Sequence, residues 1–157
     1  MTMKLEYLSN RRDSIPVVAK WYFDTWGYLM PHENENEVQR ALEAYLNTDK
    51  IPLMLLATEE SNILGVAQLK LREMDIYPEK EHWLGGVFVE KSSRGKGIAS
   101  VIIQEIIEIA RILNVEVLYL QTIRHDGGLY KKLGWKPVEI VNYKNEEVLV
   151  MENKLVE

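Results

Sequence analysis

Residues 83–99 read Trp83-Leu84-Gly85-Gly86-Val87-Phe88-Val89-Glu90-Lys91-Ser92-Ser93-Arg94-Gly95-Lys96-Gly97-Ile98-Ala99. An apolar strand runs into a basic, glycine-rich turn, and the turn opens onto a helix. A helix start carries unpaired N–H groups and about half a positive charge. Glycines in such a turn let an anion approach the main chain with no Cβ in its way. Arg94 and Lys96 add charge beside it, so the segment suits a pyrophosphate. It is not a nucleoside-triphosphate loop, which needs Lys-Ser/Thr after its last glycine, where this chain has Ile98-Ala99. A dinucleotide fingerprint needs a third glycine where Ser100 stands.

Working outward, Ile98 to Leu113 has helical spacing, with Ser100, Gln104, Glu108 and Arg111 on a polar stripe and Ala99, Ile102, Ile106, Ala110 and Leu113 on the buried one. Upstream, Lys4 to Leu8 reads as a strand. A helix from Ser14 to Trp26 is stopped by Gly27, and a second helix runs from Glu35 to Tyr45 or Leu46. Leu53 to Ala57 and Ile63 to Leu71 read as a hairpin turning at Glu60-Ser61-Asn62, and His82 to Val89 as the next strand. Downstream come a strand Val115 to Leu120, a short helix Leu129 to Leu133 ended by Gly134, and two strands between Trp135 and Leu155. This order predicts one mixed α/β (α+β) domain over 1–157, with a parallel strand pair around the long helix.

Composition bounds the function. The 157 residues are 46% hydrophobic and 27% charged, ordinary for a folded domain, with a formal net charge of −5. An acidic chain is a poor partner for nucleic acid or an anionic membrane. With no cysteine, disulfides, a cysteine nucleophile and cysteine-ligated zinc are excluded. His32, His82 and His125 are too scattered to suggest a metal site. No apolar run is of membrane-spanning length and the N-terminus carries no secretory pattern, so the expected compartment is the cytoplasm.

The segment resembles the GNAT superfamily of acetyltransferases, whose Arg/Gln-x-x-Gly-x-Gly/Ala signature after an apolar strand is matched by Arg94-x-x-Gly97-x-Ala99. Their later Leu/Phe-Tyr-x-x-Leu-Gly-Phe/Trp pattern is matched by Leu129-Tyr130-Lys131-Lys132-Leu133-Gly134-Trp135. The resemblance implies a mixed central sheet of about six to seven strands flanked by helices, splayed at a cofactor slot, and acetyl-coenzyme A as cofactor. It implies that main-chain amides of Arg94, Gly95, Lys96, Gly97, Ile98, Ala99 and Ser100 hold the pyrophosphate. Val87, Phe88 and Val89 then pair with the pantetheine arm as if it were an added strand, and Tyr130 acts as general acid towards the departing sulfur. Many members carry an asparagine where this chain has Ile123, with Thr122 and Asp126 as counterparts in a subgroup. Gly85-Gly86 is expected to mark the bulge that opens the slot.

The implied reaction is acetyl transfer to a primary amine of a small molecule. Acetylation of a peptide or protein amine, which calls for an open groove, and non-catalytic acetyl-coenzyme A binding are the alternatives. An alkylamine of pKa about 10 is only about one part in a thousand neutral at pH 7, which costs roughly 4 kcal/mol. A base is therefore needed, and His82 and Glu73 lead a set that includes Asp75, Glu81, His125 and Asp126. Trp26, Tyr28, Met30 and Trp83 are candidates to line the acceptor pocket, while Glu33, Glu35 and Glu37 read as helix-start charges. A homodimer is allowed, with no feature that places its interface.

Overall fold

The computed structural model describes residues 2–156. Seven strands form one sheet: β1 (Lys4–Tyr7), β2 (Leu53–Glu59), β3 (Asn62–Leu71), β4 (His82–Val89), β5 (Val117–Thr122), β6 (Lys136–Tyr143) and β7 (Glu146–Lys154). Their spatial order is β1-β2-β3-β4-β5-β7-β6. Every neighbouring pair is antiparallel except β4 and β5, which are parallel. The helices are α1 (Ile15–Trp26), α2 (Glu35–Leu42), α3 (Ile98–Ile112) and the short α4 (Gly128–Lys132).

The continuous apolar run in β2 is explained by burial on both faces. Leu53, Leu55 and Ala57 pack in one core with Ile102, Ile103 and Ile106 of α3, while Met54 and Leu56 pack in the other with Val18, Tyr22 and Val38. A crossover from β4 through α3 to the parallel β5 then sets the beginning of α3 beside the end of β4. A third cluster, with Met74, Tyr77, Trp83, Val148 and Val150, lies under the loop between β3 and β4.

Several boundaries differ from the sequence reading. Helix α1 ends at Trp26 as expected, but Gly27 is right-handed at φ −55°, so no left-handed cap forms and the chain tightens into a 3-10 turn over Gly27–Leu29. Helix α2 stops at Leu42 and continues only as a 3-10 turn to Tyr45. Asn34 caps α2 by accepting a 3.0 Å bond from Glu37 N–H, with Glu35 and Glu37 in the first turn. Strand β5 begins at Val117 because Val115 N–H is still bonded to Ala110 carbonyl at 2.9 Å, closing the α3 terminus. The buried face of α3 is broader than one stripe: Ile103, Ile107 and Ile109 are buried, whereas Ala99 and Leu113 are only half-buried.

Ile106 is fully buried between α3 and the sheet. Ile106→Ala should destabilise the fold by about 2–5 kcal/mol, read from the denaturant midpoint at unchanged m-value.

Candidate active site

The turn after β4 is built by its own side chains. Glu90 accepts bonds from Ser92 N–H at 3.1 Å, from the Ser92 hydroxyl and from Ser93 Oγ at 3.2 Å. The Ser92 hydroxyl and then the Ser92 amide hold the Glu90 carboxyl below its ordinary range. Gly95 and Gly97 follow at φ +78° and +79°, a conformation that favours glycine. A Cβ at either position would meet nothing within 4 Å, so the space over the turn is open. Gly95, Lys96 and Gly97 are exposed, and only the Ile98 side chain turns into the core.

The first helical bond of α3 runs from Val101 N–H to Gly97 carbonyl at 3.2 Å. The amides of Ile98, Ala99 and Ser100 therefore precede the helical ladder, and no side chain caps the helix start. This is an anion cradle of main-chain N–H groups, and it fits a diphosphate. The Arg94 side chain turns back over β4, with Nε donating to Val89 carbonyl at 2.9 Å and its guanidinium 5.3 Å from the Phe88 ring centre.

Strands β4 and β5 share only the register pair Trp83↔Tyr119. Beyond it they part. On the other side of β4 the register slips between Val66↔Phe88 and Gln68↔Gly85, so Gly86 and Val87 together face Ala67. Gly86 sits at φ +56°, and a Cβ there would lie 2.4 Å from Gln68 Oε1 and 2.5 Å from the Tyr22 hydroxyl. That hydroxyl donates to Gly86 carbonyl at 2.6 Å, pinning the bulge from α1. Phe88 pairs with Val66 and Glu90 N–H bonds to Leu64 carbonyl at 2.8 Å. By strand alternation, the polar main-chain groups of Val87 and Val89 face the gap towards β5. The Phe88 side chain packs away from it, its ring 5.0 Å from that of Trp21.

A cavity of about 440 Å³ occupies the gap, walled by α1 and its following turn, β3, β4, β5 and the β6–β7 hairpin. Glu73 and Tyr130 both line it. Glu73 Oε1 is 2.8 Å from Lys70 Nζ, and Gln121 Nε2 donates to its Oε2 at 3.3 Å. A Cβ on Gly85 would fall 2.7 Å from both Glu73 Oε1 and Lys70 Cδ, so this ion pair lies directly over the main chain of β4. Burial opposes the charge on Lys70, but the Glu73 carboxylate and the Tyr45 and Tyr143 phenols outweigh it, and its ammonium is held above the ordinary range. Burial, reinforced by the nearby Glu73 charge, pushes the Tyr130 phenol up to about 12. At neutral pH it is a proton donor.

A model of the acetyltransferase (GNAT) family matches residues 15–135, taking in α1, the β4 turn and the α4 segment. The chain belongs to the GNAT acetyltransferase family. The donor used by the family is acetyl-coenzyme A, and its fold is the one described here. An N-acetyltransferase from Staphylococcus aureus Mu50 is 18% identical with a TM-score of 0.76, over 99% of this chain and 100% of its own. An aminoglycoside 6'-N-acetyltransferase complexed with coenzyme A is 16% identical at TM-score 0.74, over 100% and 98% of the two chains. The spermidine/spermine N-acetyltransferase SpeG from Vibrio cholerae is 16% identical at TM-score 0.72, over 98% and 95%. No curated protein matches the sequence.

In this GNAT domain, Gly95 to Ser100 form the cradle, Val87 and Val89 the strand edge, and Glu73 and Tyr130 the cavity wall. His82 is not brought to that wall. It starts β4 opposite Leu71, with Nε2 3.1 Å from Glu81 Oε1. Asp126 bonds Arg124 and caps Gly128 N–H, and His125 lies against Glu147 carbonyl at 3.0 Å. Trp26, Tyr28 and Met30 line the cavity, but Trp83 does not: it is fully buried, with its indole N–H on Lys80 carbonyl at 2.7 Å. Lys70, Gln121, Tyr143, Lys144 and Glu146 also line the wall and were not singled out by sequence. Only the period-2 pattern of β3 and β5 could have hinted at Lys70 and Gln121.

Two variants test the geometry. Gly97→Glu places a charged side chain in the open cradle and should abolish the rise in Tm that coenzyme A gives the wild type. Tyr22→Phe removes the bond to Gly86 carbonyl and should cost about 1 kcal/mol of stability, while weakening coenzyme A binding in a calorimetric titration.

Proposed function

We propose that this protein transfers the acetyl group of acetyl-coenzyme A to the primary amine of a small molecule held in the β4–β5 cavity. The observation that carries the reading is that one cavity, opening where β4 leaves β5, is lined by both a carboxylate, Glu73, and a protonated phenol, Tyr130. When bound, acetyl-coenzyme A supplies an electrophilic thioester and a thiol leaving group. The amides of Gly95 to Ser100 bind its diphosphate, and the main chain of Val87 and Val89 orients its arm in the place a paired strand would take.

Glu73 takes the proton that an acceptor ammonium must lose. Gln121 and Lys70 fix its two oxygens, so the base is oriented before the acceptor arrives. Tyr130 Oη holds the proton for the departing sulfur. His82, directed at Glu81 outside the cavity, is not assigned a part. A small acceptor is favoured over a peptide because the cavity is bridged: the Tyr28 hydroxyl donates to Glu146 Oε1 at 2.7 Å, and Lys144 Nζ donates to Leu29 carbonyl at 3.3 Å.

Tyr130→Phe should lower kcat by about 10²-fold with little change in coenzyme A affinity. Because the phenol titrates near 12, it stays protonated below that pH. The wild-type to variant ratio of kcat should then be flat from about pH 6 to about pH 9.5. Glu73→Gln should lower kcat/KM by a similar factor at pH 7 and recover part of it as rising pH deprotonates the free amine. Unchanged turnover in both variants would return these residues to packing roles.

A further inference from the structure

The charges around the cavity bear on which amines it takes, given the acetyl-transfer reading above. Among the described residues, four formally charged side chains line it: Lys70 and Lys144, Glu73 and Glu146. Their sum is zero, and both carboxylates already have partners. Glu73 is paired with Lys70 at 2.8 Å within the wall. At the mouth, Glu146 accepts from the Tyr28 hydroxyl at 2.7 Å, next to Lys144, which is tied to Leu29 carbonyl at 3.3 Å.

The remaining wall is largely apolar or aromatic, with Trp26, Met30, Leu120, Tyr143 and Val148 among its residues. Such a surface gains by covering an apolar body. One ammonium can meet Glu73 at Oε2, the oxygen held by the neutral Gln121 amide at 3.3 Å and not by Lys70, and give up its proton there. Each further ammonium on the same molecule would lose water, find no carboxylate without a partner and lie near a lysine, which disfavours it.

We propose that the acceptor is a monoamine with an aromatic or other apolar body, and that polyamines and aminoglycosides are discriminated against. The discrimination comes from Lys70 and Lys144 as the repulsive element and from the apolar wall as the attractive one. A primary arylalkylamine is the simplest molecule of this chemistry. Acetylation forms an amide bond at its nitrogen and breaks the thioester carbon–sulfur bond: the ammonium gives one proton to Glu73 before attack, the sulfur takes one from Tyr130 to leave coenzyme A as the free thiol, and the second nitrogen proton restores the phenol.

The test is thiol release by the full chain with acetyl-coenzyme A and three acceptors: 2-phenylethylamine, spermidine and kanamycin. The expected kcat/KM for 2-phenylethylamine exceeds both others by about tenfold or more. Lys144→Glu, which turns the mouth acidic, should raise the spermidine to 2-phenylethylamine ratio by roughly threefold. Its coenzyme A-induced rise in Tm should be retained, showing an intact fold and cradle. Spermidine or kanamycin used as well as 2-phenylethylamine would overturn this inference and leave the acetyl-transfer reading standing. An unchanged ratio in Lys144→Glu would overturn its electrostatic basis. No turnover of 2-phenylethylamine with the coenzyme A-induced rise in Tm intact would overturn this inference alone, whereas no such rise at millimolar coenzyme A would overturn the acetyl-transfer reading as well.

Discussion

The site depends on one departure from regular pairing: β4 leaves β5 after a single register pair, Trp83↔Tyr119. A fully paired parallel strand would have satisfied the main chain of Val87 and Val89 and left no gap. The extra residue at Gly86–Val87, opposite Ala67, turns β4 out of register. The positive φ of Gly86 and the hydroxyl of Tyr22 hold it there. Tyr22 is almost fully buried in the core beneath α1, so the helix layer on one face of the sheet holds the bulge beside the gap in the middle of the sheet.

The same bulge organises the electrostatics. Gly85 has no side chain, and the Lys70–Glu73 pair lies over it at the cavity wall. Any larger residue there would displace the pair. Glu73 in turn contributes to holding Tyr130 protonated, after burial. A carboxyl group and a raised phenol thus face one cavity. The open cradle at the start of α3 lies at the far end of β4, where the unpaired amides of Ile98, Ala99 and Ser100 can anchor a diphosphate. The cradle and the strand edge thus lie along a single strand, β4, whose Gly85, Gly86 and Val87 also line the cavity.

The parts legible from sequence were those written in one short segment. The strand, turn and isoleucine-rich helix from Trp83 to Ile112 carry their own periodicity and glycines, and the double-faced apolar run of β2 announced a buried strand. The Gly85-Gly86 pair announced the bulge. Less legible were features that need two distant segments together. Lys70, Gln121, Tyr143 and Glu146 come from four strands and meet only once β4 joins them in the sheet, and none lies in a local motif. His82 looked as eligible as Glu73 because both lie near the start of β4 in the chain. The loop between them folds back on Met74 and Tyr77, bringing Glu73 to Lys70 and leaving His82 with Glu81. Trp83 illustrates the same limit: it was a candidate to line the acceptor pocket, but its position in β4 turns it into the third core cluster.

A titration of the amide ¹H–¹⁵N spectrum with coenzyme A tests the central claim most directly. The account predicts that the largest shifts fall on Gly95, Lys96, Gly97, Ile98, Ala99 and Ser100, with a second group at Val87 and Val89. Shifts confined to other surfaces, with those amides unmoved at saturating coenzyme A, would contradict it.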